Sequence, residues 1–251
     1  MENKIKASDI AKFLDLDLHG EDTEIKRPVF IENLSSGCFS FIREKEFNQS
    51  LLDNINKNLQ SFVISPLKFK DKIKSSFVVS ERPYHDFSRA LKEFFSCEKP
   101  KIIIGRNCDI KAKAVIGGKG FNYQRNELGI NERVTHIGGV EMGNNVSIGS
   151  FTAIDRGILE NTIIGSNVKI DNLVHVGHDC IIGEGSLITA GAILGGRVVI
   201  GKNCFLGLNC SIKNKIKIGD NVVVGMGAVV IKDVPSNTIV VGNPAKPLVK
   251  K

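Results

Sequence analysis

A six-residue repeat runs through the second half of the chain. From Ile164 to Val224, every sixth residue is Ile, Leu or Val, eleven positions in a row. If roughly one residue in four were of these types, the chance of such agreement would be on the order of one in a million. The second hexad position is Gly in eight of the eleven repeats, and the fifth is always small or β-branched. This pattern is typical of a β-helix, in which large aliphatic residues fill the interior and small ones fit tight corners.

Weaker hexads and two interruptions extend the pattern. The weaker repeats begin at Ile104, Ile110, Ile116, His136, Met142, Ile148 and Ile154. Three hexads make one triangular coil of 18 residues, so the repeats predict about six coils and, at ~4.8 Å between strands, a prism roughly 29 Å tall. The register slips by four residues around 160–163, and residues 117–135 interrupt the repeat with a polar, Gly-containing segment. Such an insertion on a rigid solenoid is usually a surface loop that serves a site.

The first hundred residues lack the hexad and predict a small α/β domain. Ser61–Ser65 and Ser76–Ser80 are expected to be strands, Ser8 to cap a short helix, and residues 83–96 to form a helix with Pro83 in its first turn. The predicted fold is therefore mainly β: a left-handed parallel β-helix preceded by a small α/β domain. The expected domains are 1–100, 101–230 and a C-terminal extension, 231–251, that contributes to a donor site.

Composition limits the partners and the compartment. The net charge of +7 favours an acidic partner, but its dispersion and the 6% content of aromatic residues disfavour nucleic acid. The N-terminus has no apolar signal region and no run of 18 apolar residues occurs, so we expect a cytoplasmic protein without integral membrane contact. Reduced cysteines follow from that compartment. Four of them fall on the small inward position of a hexad and are expected to be buried, namely Cys108, Cys180, Cys204 and Cys210. No C-x-x-C pair occurs, and we expect no metal.

Three segments resemble the UDP-3-O-acylglucosamine N-acyltransferases of lipid A synthesis. They are the helix 83–95, the segment that begins Gly-Lys-Gly-Phe at 118 and continues to Val140, and Ile-Asp-Arg-Gly at 154–157 with its continuation through Asp171, Asn172 and His178. The ending, Gly242-Asn243-Pro244-Ala245-Lys246 included, is instead similar to the CoA-dependent sugar acetyltransferases. The resemblance implies an acyltransferase, a homotrimer with sites between subunits, and an N-terminal domain that binds a nucleotide base.

Acyl transfer to an amine needs a base near the amine and a donor for the tetrahedral oxyanion. His178 is the candidate base, because imidazole exchanges protons near neutral pH and the third hexad position faces outward. Gly196 stands one 18-residue coil later, where its main-chain N–H could stabilise the oxyanion without a side chain blocking the site. Asp179 is expected to orient His178, with Asp155 from a neighbouring subunit as the competing carboxylate.

Further residues are assigned through the resemblance. The expected sugar-nucleotide contacts are Asp155, Asp171, Asn172, His175 and His136, with Phe41 and Phe47 as a clamp for the base, unless these two rings are core residues. The expected contacts to the acyl donor are Gly196, Leu208, Gly225, Met226, Lys215 and Lys246. Lys213, Lys215 and Lys217 alternate, so they are expected to share the outer side of one strand and to meet phosphates or an acidic carrier protein.

Three functions remain open. The first is an N-acyltransferase that moves an acyl group from acyl-CoA, or from acyl carrier protein, to the amine of a nucleotide-linked amino sugar for surface polysaccharide. The second is the lipid A enzyme itself, which acts on UDP-3-O-acylglucosamine with acyl carrier protein in lipopolysaccharide biosynthesis. The third is a non-catalytic binding or assembly homologue. A zinc carbonic anhydrase with this prism is disfavoured, because His136 lies 39 and 42 residues before His175 and His178, and neither interval fits an 18-residue coil.

Overall fold

A computed structural model of the protein describes residues 4–96 and 99–248, which form two compact units. The first unit contains residues 4–96 together with 123–135, and the second contains 99–122 and 136–248. The hairpin within the insertion therefore groups with the first unit, not with the repeats that flank it. Residues 231–248 belong to the same unit as the hexads, while 249–251 and 97–98 lie outside the described residues.

The second unit is a left-handed parallel β-helix, as the hexads predict, and its coils form three parallel sheets. Face 1 consists of Ile102–Ile104, Val140–Met142, Thr162–Ile164, Ile181–Ile182, Val199–Ile200 and Lys217–Ile218. Face 2 consists of Asp109–Ile110, Ser147–Ile148, Lys169–Ile170, Leu187–Ile188, Phe205–Leu206, Val223–Val224, Ile239–Val241 and the antiparallel Lys246–Pro247. Face 3 consists of Val115–Lys119, Ala153–Arg156, His175–Val176, Ile193–Leu194, Ser211–Ile212 and Val229–Val230.

The repeat fills the prism as the sequence predicts. The eleven leading aliphatic residues from Ile164 to Val224 are each at most 3% exposed. Each buried side chain of this size stabilises the fold by about 1.5–3 kcal/mol. Neighbouring coils pair in register, so that Ile182 lies beside Ile164 and Ile200 beside Ile182. The 18-residue spacing thus places residues i and i+18 side by side on the outer surface as well as in the core.

The first coil departs from this pattern. Ile104 and Ile110 hold inward hexad positions, yet they are 47% and 36% exposed, because both strands are the terminal members of their sheets. Cys108 in the same coil is only half-buried, so the expectation that it is a core residue is wrong for this one cysteine. Cys180, Cys204 and Cys210 are buried as expected.

A column of asparagines supports the corner between faces 1 and 2. These corner residues adopt positive φ, which non-glycine residues other than Asn and Asp rarely tolerate. They are Asn107, Asn145, Asn167, Gly185, Asn203, Asn221 and Asn237. Side-chain amides connect neighbouring coils, from Asn145 to Asn167 at 3.2 Å and from Asn221 to Asn237 at 3.1 Å. Asparagine at this corner thus serves both the backbone conformation and coil-to-coil hydrogen bonding, whereas Gly185 serves the backbone conformation alone.

The first unit has a five-stranded sheet between helices. Its strand order is Leu18–His19, Ser76–Val79, Phe62–Ser65, Cys38–Phe41 and Arg27–Pro28. Only the first pair is antiparallel. A separate antiparallel pair joins Ile5–Lys6 to Glu24–Ile25. The α-helices are α1 (Ala7–Leu14), α2 (Gln49–Lys57) and α3 (Pro83–Phe94), and the short 3₁₀ helices are Ile31–Asn33, Glu44–Glu46 and Leu67–Lys72. The insertion contributes a hairpin of Tyr123–Arg125 and Asn131–Arg133.

Two details of this unit differ from the sequence prediction. Ser8 lies inside α1 and does not cap it, because the helix begins one residue earlier, at Ala7. The carboxylate of Asp9 accepts a hydrogen bond of 2.8 Å from the Lys6 N–H at that end. The predicted helix 83–96 is present as α3, which ends at Phe94.

Candidate functional site

The insertion and the register slip both fall on the corner between face 3 and face 1, here called the 3–1 corner. The insertion leaves the strand Val115–Lys119 on face 3 and returns to Val140–Met142 on face 1. The register slip lies between Ala153–Arg156 on face 3 and Thr162–Ile164 on face 1. His178 and Asp179 occupy the same corner of the following coil. The strands before and after both interruptions remain paired, with one register shift between Ile116 and Gly118, so one side of the prism carries the irregular segments.

His178 and Asp179 form a hydrogen-bonded pair at this corner. His178 Nδ1 lies 2.7 Å from Asp179 Oδ2, and the two side chains are 15% and 6% exposed. Asp179 has φ 57°, a left-handed conformation that turns its carboxylate back toward the preceding residue. A carboxylate accepts the Nδ1–H of a neutral imidazole, which leaves the lone pair on Nε2. The pair therefore has the form of a base oriented by an acid.

Gly196 lies directly against the imidazole, one coil away. A Cβ built on Gly196 would stand 2.5 Å from His178 Nε2 and 2.6 Å from Cε1, so any side chain there would displace the ring. The main chains are also joined, because Arg197 N donates to His178 O at 2.8 Å. Among the described residues, none accepts a hydrogen bond from the Gly196 N–H. That donor remains available beside the nitrogen that would act as base.

Three further predicted residues gather around His178. The rings of His136 and His178 meet edge to face with centroids 5.7 Å apart. Asp155 Oδ2 lies 3.8 Å from His175 Nε2. Gly120 directly follows the strand Val115–Lys119 and lies close to three of these groups. Its Cβ would stand 3.1 Å from Asp155 Oδ2, His136 Nε2 and His178 Cβ alike.

Asp171 and Asn172 lie at a different corner, between faces 2 and 3. Their polar atoms are used within the prism: Asn172 Oδ1 accepts from Ser150 N at 2.7 Å, and Asp171 Oδ1 accepts from Asn172 N at 2.7 Å. Leu208 and Met226 occupy the same 2–3 corner and are largely exposed, with Gly225 beside Met226. The structure therefore does not bring Asp171 and Asn172 onto the corner that carries His178.

The lysines do not share one strand, so the sequence expectation was wrong on this point. Lys213 and Lys215 stand on the 3–1 corner, and only Lys217 belongs to a strand, Lys217–Ile218. Lys215 has φ 66°, and its N–H donates to Gly196 O at 3.0 Å. This places Lys215 one coil beyond Gly196 on the corner of His178. Lys246 lies on the antiparallel strand Lys246–Pro247 at the end of face 2.

Phe41 is a core residue of the first unit and is not free to clamp a base. Its side chain is 5% exposed and packs between Tyr84 and Phe87, with ring centroids 4.7 Å away in both cases. Phe47 stacks on Phe69 at 3.7 Å. The sequence left open whether the two rings are core residues. The packing shows that Phe41 is one.

A cavity of about 1010 Å³ opens beside these rings, within the first unit. Its lining includes Arg43, Tyr84, Ser80 and Gln124, but neither Phe41 nor Phe47. The Arg43 guanidinium lies over the Tyr84 ring, 4.4 Å from the centroid. The lining also holds four carboxylates, of Glu44, Glu81, Asp86 and Glu127, against four cationic side chains, of Arg43, Lys45, Lys68 and Arg82. A cavity of this size with an aromatic ring and polar groups of both charges suits a small polar ligand.

Sequence reasoning missed the groups that hold Asp179. Asp179 Oδ1 accepts a hydrogen bond of 2.9 Å from the main-chain N–H of Ile158, within the register slip. Main-chain donors leave no residue-type pattern in a sequence. The slip itself was the available signal, since it marks where a turn replaces a hexad corner.

The buried cysteines are chemically quiet. Burial raises the pKa of the Cys180 thiol to about 12 and that of Cys210 to about 11. Cys180 Sγ also lies 3.2 Å from Gly195 O. Thiols held protonated in this way pack as small apolar residues.

Across residues 4–96 and 99–248, no three His, Cys, Asp or Glu side chains are grouped as ligands for a metal ion. In that same part of the chain, no helix combines the length and apolar character needed to cross a membrane.

Comparison with known families identifies the repeat. The family model "Bacterial transferase hexapeptide (six repeats)" matches residues 161–196, and "Hexapeptide repeat of succinyl-transferase" matches 197–232. The two models together match residues 161–232, which carry the hexads. These repeats include His178, Asp179, Gly196 and Lys215.

Relatives extend the similarity toward one group of enzymes. The UDP-3-O-acylglucosamine N-acyltransferase of Helicobacter pylori (strain ATCC 700392 / 26695) is 47% identical over 81 residues, 32% of this chain and 24% of that protein. The enzyme of the same name from Pseudomonas aeruginosa (strain LESB58) is 45% identical over 82 residues, 33% of this chain and 23% of that protein. The matched stretch thus spans about a quarter of each relative. The resemblance expected from the sequence is confirmed over this part of the chain.

Solved structures agree on the prism. The UDP-N-acetylglucosamine O-acyltransferase from Moraxella catarrhalis matches with a TM-score of 0.52 and 26% identity, over 59% of this chain and 56% of that one. LpxA from Acinetobacter baumannii matches with a TM-score of 0.51 and 24% identity, over 60% of this chain and 63% of that one, and supports the fold alone.

Proposed function

We propose that the protein is a sugar N-acyltransferase, which transfers an acyl group from a thioester to the amine of a nucleotide-linked amino sugar. The observation that carries this proposal is the position of Gly196 against the imidazole of His178. A base and an unoccupied main-chain N–H meet at one point of the surface, and acyl transfer needs both there. Fold similarity alone would not suffice, because one fold hosts many activities.

The reaction follows from these groups. The sugar amine attacks the thioester carbonyl, and a C–N bond forms while the carbonyl oxygen gains negative charge. His178 Nε2 takes the proton from the attacking nitrogen, and Asp179 stabilises the resulting imidazolium through Nδ1. The Gly196 N–H donates to the oxyanion. The C–S bond then breaks, and His178 returns the proton to the departing thiolate, so the products are an amide and a thiol.

The comparisons favour the second acceptor considered from the sequence. The relatives that match about a third of this chain are named UDP-3-O-acylglucosamine N-acyltransferases. A UDP-linked glucosamine carrying an O-acyl group is therefore the first acceptor to test, and acyl carrier protein is the donor to test with it. Acyl-CoA with a different UDP- or dTDP-linked amino sugar is the competing pair. We expect a homotrimer, as the resemblance implies, which light scattering would measure.

The cavity of the first unit is the proposed site for the nucleotide. Gln124 brings an amide to the lining, and the Arg43 guanidinium, held over the Tyr84 ring, brings positive charge. This assignment replaces the Phe41–Phe47 clamp, because Phe41 is already enclosed by two rings.

The decisive experiment supplies both donor classes to the full-length protein. Acyl carrier protein and CoA thioesters are each paired with UDP-3-O-acylglucosamine and with UDP- and dTDP-amino sugars, and amide formation is followed by mass spectrometry. We expect one pair to react, and His178→Ala to lower kcat by about 10²–10⁴-fold without loss of β structure. The non-catalytic alternative predicts a different result. A sugar nucleotide would raise the melting temperature without any turnover, and it would raise the melting temperature of the His178→Ala variant equally.

A further inference from the structure

The register slip at residues 157–161 makes a direct contact with the His178–Asp179 pair. Asp179 has two carboxylate oxygens, and each has its own donor. Oδ1 accepts from the Ile158 N–H at 2.9 Å, while Oδ2 lies 2.7 Å from His178 Nδ1. The carboxylate is 6% exposed, so water contributes little to either oxygen. The orientation of this carboxylate is therefore set by a main-chain donor from the preceding coil.

The turn that carries Ile158 is itself fixed from the other side. Ile158 O accepts from Ile137 N at 2.8 Å, and Gly157 N donates to Gly139 O at 3.2 Å. A Cβ on Gly157 would overlap the Glu160 carbonyl oxygen and stand 2.8 Å from Asp179 Oδ1. The four additional residues of the slip thus form a tight turn. Its hydrogen bonds to residues 137 and 139 hold the main chain so that the Ile158 N–H points at Asp179.

We propose that the slip turn is a positioning element: it fixes which oxygen of Asp179 faces His178, and the carboxylate held in this way keeps the ring proton on Nδ1. Because Ile158 N–H occupies Oδ1, only Oδ2 faces the imidazole, and as an acceptor it requires the proton on Nδ1. Nε2 then carries the lone pair and points to Gly196. The inference rests on the proposed function only for its catalytic consequence, since the tautomer is a property of the protein alone.

Asp179→Asn tests the proposal because the amide has only one acceptor oxygen. If Ile158 N–H holds that oxygen at the Oδ1 position, the NH₂ group faces His178 Nδ1 and donates to it, so the ring proton must move to Nε2. If the turn exerts no such control, the amide rotates by 180°, its oxygen faces Nδ1–H, and the wild-type tautomer persists.

The measurement is the ¹⁵N chemical shift of the His178 ring nitrogens in protein labelled at histidine, recorded above pH 8, with His178→Ala to assign the signals. We expect Nδ1–H in the wild type and Nε2–H in Asp179→Asn. An unchanged tautomer in the variant would overturn the proposal, and so would Nε2–H in the wild type. Hydrogen exchange at the Ile158 amide in the wild-type protein is a second measurement that needs no variant. Protection is expected, and rapid exchange would contradict the contact.

Asp220→Asn is the matched control. Asp220 Oδ1 accepts a hydrogen bond of 2.7 Å from the Lys202 N–H in another coil, so the substitution has the same chemistry away from His178. It should leave the His178 tautomer unchanged. If acyl transfer is assayed, Asp179→Asn should lower kcat by about 10⁴-fold, as a wrong tautomer does in serine hydrolases, and shift the pH profile. An inverted tautomer with undiminished turnover would refute His178 as the base while leaving the positioning role in place.

Discussion

Gly196 and His178 lie against each other although 18 residues separate them. The built Cβ of Gly196 would stand 2.5 Å from His178 Nε2, which is closer than any carbon and nitrogen approach without a bond. The neighbouring main chains are joined by the hydrogen bond from Arg197 N to His178 O. The absence of a side chain at 196 is therefore what allows the imidazole its present position.

Gly196→Ala should displace the imidazole and leave the prism folded. The atoms in the way belong to a side chain that can rotate, and Gly196 does not require a positive φ. We expect kcat to fall by about 10²-fold, since a displacement of about 1 Å can cost that much, with stability within about 1 kcal/mol of wild type. Steady-state kinetics and urea unfolding measure the two effects.

Gly118→Ala is the comparison for this variant. Its Cβ would meet Asp155 Oδ1 and a Val115 methyl at 3.7 Å, an ordinary contact. It should preserve most of the activity. Equal losses in the two alanine variants would argue that the 3–1 corner is sensitive to any change, and not to the position of the His178 ring.

Asn203→Ala should destabilise the prism, and Asn203→Gly should do so less. Asn203 has φ 52°. In this left-handed region, a residue with a Cβ other than Asn or Asp destabilises the fold by about 1–2 kcal/mol. Asn214→Ala, on another corner and without a positive φ, should have almost no effect. The free energies of unfolding in urea provide the test, and an alanine variant at 203 that is as stable as the glycine variant would contradict it.

Stability should fall above pH 9, in part through Cys180. Burial raises the pKa of this thiol to about 12 in the folded protein, from an ordinary value of 9.0. Between these values the unfolded chain loses the proton first, so unfolding becomes more favourable as the pH rises. The contribution is complete below pH 9 and is lost as the pH rises toward 12.

Cys180→Ala removes this titration, and alanine already occupies the equivalent position at Ala192 and Ala228. Urea unfolding at pH 7 and pH 10 should show a smaller loss of stability in Cys180→Ala than in the wild type. Val198→Ala, at the same hexad position without a titrating group, should retain the wild-type pH dependence. A pH dependence identical in all three proteins would rule out the thiol as the cause.

Phe41→Ala should lower the free energy of unfolding of the first unit by about 3–5 kcal/mol, as the loss of a buried aromatic ring usually does. The reason is its enclosure between Tyr84 and Phe87. Phe121→Ala is the control, because that ring is 86% exposed. Circular dichroism during thermal unfolding measures both. Undiminished stability in Phe41→Ala, with loss of nucleotide binding only, would restore Phe41 to the clamp.

The sequence by itself determined the prism. The hexad places one large aliphatic side chain inward in every repeat from Ile164 to Val224, the pattern typical of a β-helix. The same spacing determined that His178 and Gly196 stack, because i and i+18 must lie side by side once each coil has 18 residues. The Cys180 environment followed from the fifth hexad position in the same way.

The tertiary structure decided the contacts made where the period breaks. The tight turn at Gly157 delivers the Ile158 N–H to Asp179, and Gly120 packs against His136, Asp155 and His178. These contacts depend on main-chain direction and on the path of an insertion, neither of which leaves a residue-type pattern. Phe41 shows the converse, since a motif that suggests a free ring cannot reveal that Tyr84 and Phe87, more than 40 residues away, already cover it.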